Sequence, residues 1–259
     1  MTIDKFKKNI CLRILFIFSL LFSFSVNTKA AETVSTEKIK VDCLFSVGVE
    51  CRPCNYIQKY NIRFQAAPLD WMMNYSLDIV IHLFETQFSD FFEEIEEIPD
   101  KFCANCKFVK DKKNGIISIH HFNRYAPLDE EHKKFRESML NRAKKVDNIL
   151  KDLDSIGLIC NRKDETTENL INFTRKFSEI YPNKKIVLIN IVHIPNTEKV
   201  HESVLFDENN IKIVQFVFSD IPHIKDPVKF PQWKGNQLAW GEVFSRIELS
   251  QKFLNYSLN

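Results

Sequence analysis

Ile186 to Val192 reads Ile-Val-Leu-Ile-Asn-Ile-Val, an apolar run that follows Lys185 and is broken only by Asn190. A strand so continuously apolar is buried on both faces, so helices must cover both sides of its sheet. Cys43–Val47, Ile156–Cys160 and Ile211–Phe218 are similar short runs. Helical stripes lie between them. Leu77, Val80, Ile81 and Phe84 follow Ser76 as N-cap. Phe88, Phe91, Phe92 and Ile95 predict a second short helix, with Glu93, Glu94, Glu96 and Glu97 on its solvated face. Phe135, Met139, Ala143, Val146, Ile149, Leu150 and Leu153 follow Asp129 as N-cap. Leu170, Phe173, Phe177 and Ile180 follow Thr167, and Trp240, Val243, Phe244, Ile247 and Leu254 close the chain. This alternation predicts an α/β fold, a mostly parallel central sheet with helices on both faces. Asn114-Gly115, between Lys107–Lys110 and Ile116–Ile119, adds one β-hairpin insertion.

The first residues read differently. Lys5, Lys7, Lys8 and Arg13 precede an apolar run from Ile14 to Val26, and Thr28-Lys29-Ala30 offers a small-residue cleavage site. This is the pattern of a secretory signal peptide, and the run is too short for a comfortable membrane span. The chain therefore divides into a signal peptide over 1–30, a disordered lead-in over 31–40 and a single α/β domain over 41–259. Residues 1–31 carry five basic residues and one acidic residue, so their removal turns the formal charge from +2 to −2. Nucleic acid is not expected as a partner, nor is a stable membrane span after cleavage. The product is expected to be secreted or periplasmic. Asn74, Asn172 and Asn255 each open a glycosylation sequon.

Within the domain, Gly48 and Cys51 follow the first strand, and Arg52-Pro53 begins a short helix. Cys51 thus falls at a strand-to-helix turn, where free N–H groups and the helix dipole favour a thiolate and can hold an oxyanion. A thiol nucleophile needs a base, and the base needs an orienting partner. His120 closes a strand and is the preferred base; His121 points to the opposite face. Asp70, on a loop beside Trp71, is the expected orienter, and Asn123 the fallback. In parallel sheets the site lies at the carboxyl ends of the strands. Cys51, His120 and Arg162 all follow strand-like runs and are expected to converge there. Trp71, Arg162 and Trp240 are expected to line the pocket, Arg162 suiting an anionic group.

Several of these segments resemble the bacterial family of putative papain-like cysteine peptidases. Ser46-Val-Gly48-Val-Glu-Cys51 resembles its Ser-Leu-Gly-x-x-Cys. Pro68-Leu69-Asp70-Trp71 resembles its Pro-Phe-Asp-Trp. Gly115-Ile116-Ile117-Ser118-Ile119-His120-His121-Phe122 resembles its Gly-Ile-x-Phe-x-His-Asp-Phe, with His121 in place of Asp. Asn161-Arg162, and Trp233-Lys-Gly235-Asn236 with Trp240, fit its later pattern, so the resemblance spans roughly 42 to 245. It implies Cys51 as nucleophile, His120 as base and Asp70 as a polar site residue; Ser46 and Gly48, just before the nucleophile, are expected beside the substrate. The expected activity is an exported cysteine-dependent hydrolase with no cofactor. Its substrate is a peptide or another acyl-linked group.

A rival reading uses the cysteines otherwise. Six remain after the signal: Cys43, Cys51, Cys54, Cys103, Cys106 and Cys160. Cys51 and Cys54, with Cys103 and Cys106, could hold one zinc as four thiolates. The same pairs could instead form structural disulfides in an exported, non-catalytic domain, or Cys51-Arg-Pro-Cys54 could serve redox exchange.

Overall fold

A computed structural model describes residues 37–99, 105–222 and 231–250. The expected signal peptide, Cys103, Leu254 and Asn255 lie outside the described residues. The elements are β1 (Ile39–Val41), β2 (Cys43–Ser46), α1 (Cys51–Lys59), β3 (Met72–Met73), α2 (Leu77–Glu85), β4 (Ile95–Ile98), β5 (Cys106–Asp111), β6 (Ile117–Asn123), α3 (Leu128–Asp152), β7 (Ser155–Cys160), α4 (Thr167–Ile180), β8 (Lys185–His193), β9 (His201–Glu208), β10 (Ile211–Phe218), α5 (Gln237–Ser245) and β11 (Ile247–Leu249). Among the described residues no helix is long and apolar enough to cross a membrane.

The fold is mixed α/β. Its five-stranded sheet has the order β2-β7-β8-β10-β9. The first three pairings are parallel and β9 runs antiparallel to β10, so the sheet is mixed and the parallel expectation holds only in part. Burial on two faces explains the apolar run of β8. Ile186 and Leu188 pack with residues of α2, α3 and α4, while Val187, Ile189 and Ile191 pack with residues of α1 and α5. The edge strand β9, His-Glu-Ser-Val-Leu-Phe-Asp-Glu, is largely exposed and its apolar run is only Val204-Leu205-Phe206 between polar ends, too short for the hydrophobic pattern to announce it.

The expected hairpin belongs to a larger antiparallel sheet, β3-β6-β5-β4. Its turn needs Gly115 at φ +72°. Asp111 holds that turn: its carboxylate accepts the N–H groups of Lys113 and Asn114, each at 3.1 Å.

The helix expected over Phe88–Ile95 does not form. Gln87, Phe88 and Phe92 take left-handed φ values of 51°, 59° and 49°, which break the helical path. The Phe92 N–H donates to Asp111 Oδ2 at 2.8 Å instead. The rings are still buried, packed around Phe122 and Phe135. Ile95–Ile98 becomes β4, whose Glu96 and Glu97 face Lys110 and Lys107 of β5.

Ser76 caps α2 as expected, accepting from the Ile79 N–H at 3.2 Å. The cap of α4 is Thr166 rather than Thr167. Asp129 lies inside the first turn of α3, where its charge favours the helix dipole. The lead-in expected to run to residue 40 ends sooner, because Ile39–Val41 pairs in parallel with Ile247–Leu249.

Candidate active site

The chain leaves β2 at Ser46, which is buried, and turns at Gly48 into α1. A side chain at residue 48 would come within 2.9 Å of both Asn161 Oδ1 and Pro53 Cγ. Glycine is therefore required by close approach. Cys51 is the first residue of α1, and the N-cap Glu50 makes no side-chain capping bond. The first N–H groups of the helix are thus left without a side-chain cap.

His120 reaches this thiol from the other sheet. Its Nε2 stands 3.7 Å from Cys51 Sγ. It lies within β6 rather than at its end, since that strand continues to Asn123. Strand alternation sends His121 the other way, where Nδ1 lies 2.9 Å from Ser118 Oγ and the ring packs on Phe135. Trp71 meets the His120 ring edge-on, at 5.8 Å and 87°.

Asp70 does not serve His120. Its buried carboxylate accepts from Arg63 Nη2 at 2.7 Å and from the Ala67 N–H at 2.9 Å, and it is hydrogen-bonded to the Cys54 thiol. Burial pushes its pKa up against the pull of Arg63. Asn123 is equally engaged elsewhere: its N–H donates to Glu131 and its Oδ1 accepts from the Tyr125 N–H. Among the described residues Cys51 is the hydrogen-bond partner of His120, and no side chain orients its second nitrogen.

Arg162 follows β7 as expected, but its guanidinium donates to the carbonyls of Tyr75 (2.9 Å) and Val47 (3.3 Å). It thereby ties the loop before Cys51 to the loop before α2. Trp240 is wholly buried and stacks on Tyr56 at 4.7 Å, so it does not line a pocket. The tryptophan at the site is Trp233, 44% exposed and 6.3 Å from Trp71. The motif Trp233-Lys-Gly235-Asn236 thus brings its own tryptophan to the site rather than the expected Trp240.

Two further residues stand at the site without having been expected there, Arg52 and Asp220. Arg52 Nη1 donates to Asp220 Oδ2 at 2.9 Å, and Arg52 Nε to the Trp233 carbonyl at 2.8 Å. An aspartate just past an apolar strand was the available signal for Asp220. A cleft of about 570 Å³ opens at the carboxyl ends of β2, β7, β8 and β10, lined by Glu50, Arg52, Asn161, Arg162, His193 and Asp220 among others. Val49 and Glu50 lead from it directly to Cys51.

Burial pushes the Cys51 thiol up to about 11, and the Glu50 carboxylate adds to that; Arg52 opposes it. Burial also lowers the pKa of His120. Near neutral pH the resting pair is therefore a thiol beside a neutral imidazole, and not the thiolate that helix position alone suggests. Cys51 and Cys54 carry free thiols. Among the described residues no group of three or more side chains is arranged to hold a metal ion.

Residues 42–202 match a family model described as putative papain-like cysteine peptidase. No curated protein and no solved structure matches the chain.

Proposed function

The chain belongs to the putative papain-like cysteine peptidase family, the match covering more than half its length, and from that premise we propose that it is a cysteine-dependent acyl hydrolase. The observation that carries this reading is the 3.7 Å approach of His120 Nε2 to Cys51 Sγ at an uncapped helix N-terminus. His120 takes the thiol proton as Sγ bonds to the acyl carbon. The N–H groups at the start of α1 hold the oxyanion. The imidazolium then protonates the leaving group, which departs as the thioester forms. Water, deprotonated by His120, cleaves the thioester and restores the thiol. These steps use no cofactor.

Because the resting pair is neutral, His120 acts as a general base during attack. Reactivity should therefore rise with pH as His120 loses its proton, through a midpoint below its ordinary 6.5. The test is the pH dependence of Cys51 alkylation, wild type against His120→Ala. Loss of the base should slow alkylation near neutral pH by roughly 100-fold. Equal rates in the two proteins would overturn the reading. About one zinc per chain in the same sample, with an inert Cys51, would replace it with a four-thiolate metal site.

A further inference from the structure

Trp71 and Trp233 form a corner beside the reacting pair. Trp71 holds a left-handed φ of 66°, which a bulky residue adopts only when its surroundings impose it. One edge of its neighbourhood is His120. Trp233 crosses it at 67°, so the two indoles present walls in different planes. Neither ring belongs to the two buried apolar clusters of the protein. Trp233 is instead fixed through its backbone: its carbonyl accepts from Arg52, the residue next to the nucleophile. Gly235, at φ +64°, lets the chain pass against Asp220 immediately afterwards. An exposed indole anchored in this way is placed to meet a ligand.

Resting on the hydrolase reading, we propose that the Trp71–Trp233 corner is a subsite for a large apolar side chain, aromatic by preference, carried next to the acyl carbon that Cys51 attacks. Crossed indoles offer a flat apolar group both edge-to-face and offset-stacked contact. A sugar ring would favour one open face instead, and Lys234 Nζ already lies 5.6 Å over the Trp233 ring.

The experiment uses the full chain and two haloacetamides, chloroacetamide and N-benzyl chloroacetamide, each rate normalised to its rate with free cysteine. The benzyl probe should modify Cys51 faster by roughly tenfold or more. Trp233→Ala should bring the ratio close to one, and Trp233→Phe should retain part of it. A ratio near one in wild type, a ratio unchanged in Trp233→Ala, or greater preference for a glucosyl-bearing chloroacetamide would overturn the proposal.

If neither probe modifies Cys51, the nucleophile reading fails, and the corner is read separately. Cys51→Ala protein is titrated with N-acetyl-phenylalaninamide while the indole N–H resonances are followed. Shifts at Trp71 and Trp233, with the Trp71 shift lost when Trp233→Ala is added, support the subsite. No shift overturns it, whatever the thiol does.

Discussion

Cys51 sits in opposing fields. The start of α1 offers positive dipole and free N–H groups, while burial and Glu50 favour the neutral thiol, and the second pair prevails. Glu50 is the part of this balance that can be removed without repacking, since 43% of its side chain is exposed. Glu50→Gln should lower the thiol pKa and speed alkylation at pH 7.5 by roughly threefold at low salt, an advantage that fades as salt screens the charge. An unchanged rate would mean that burial alone governs the thiol. That Cys51 and His120 come together was legible in the sequence, because a turn and a strand fix where they point. Asp70 and Trp240 stand elsewhere than expected for a common reason. A sequence shows that a polar or aromatic side chain lies near a motif, but not which neighbour takes it. Arg63 claims Asp70 and Tyr56 stacks on Trp240.

At the level of elements, β6 separates the two histidines by strand alternation, one facing the thiol and one facing α3. Burial drives His121 down to about 4, with smaller contributions from Arg142 and His120. Between that value and the ordinary 6.5 the unfolded chain binds a proton that the folded chain does not. Stability should therefore fall as pH drops from 6.5 to 4, by an amount on the order of 3 kcal/mol. Thermal unfolding across that window checks it: His121→Gln should flatten the slope, and a slope equal to wild type would assign the acid sensitivity elsewhere. The same alternation shows which elements a sequence reveals. β8 and β10 were legible because burial forces apolar residues onto them. β9 was not, since it is largely exposed, and the β1–β11 pair was not, since three residues a side are too few to show a period even though Ile39 and Val41 are buried. The stretch from Phe88 to Phe92 had helical spacing for the right burial and the wrong backbone, because Asp111 bids for the Phe92 N–H from across the chain.

On the scale of the whole molecule, the site is closed by chain far from Cys51. The family match ends at residue 202, short of Asp220 and Trp233. Asp220 nevertheless holds the start of α1 in place. It accepts from Arg52 Nη1, from the Asn236 N–H at 2.7 Å and from Trp240 Nε1 at 3.0 Å. Gly235 is required here because a side chain would meet Asp220 Oδ1 at 2.0 Å. Tyr56 adds a second tie from α1, donating to the Lys234 carbonyl at 2.8 Å. Three donors converge on one buried carboxylate, so its loss leaves two buried N–H groups without a partner and Arg52 with only the Trp233 carbonyl and the half-exposed Glu50. Asp220→Ala should therefore cost about 3–5 kcal/mol, well beyond an exposed ion pair. The urea midpoint should fall with its slope unchanged, which would mark lost stability rather than a changed unfolded state. Cys51 alkylation should slow in the same variant, because α1 is no longer held against the loop that carries Trp233. A loss below about 1 kcal/mol, the worth of an exposed pair, would mean that residues 231–250 only cover the domain. A large loss would make them part of the machinery that presents the thiol.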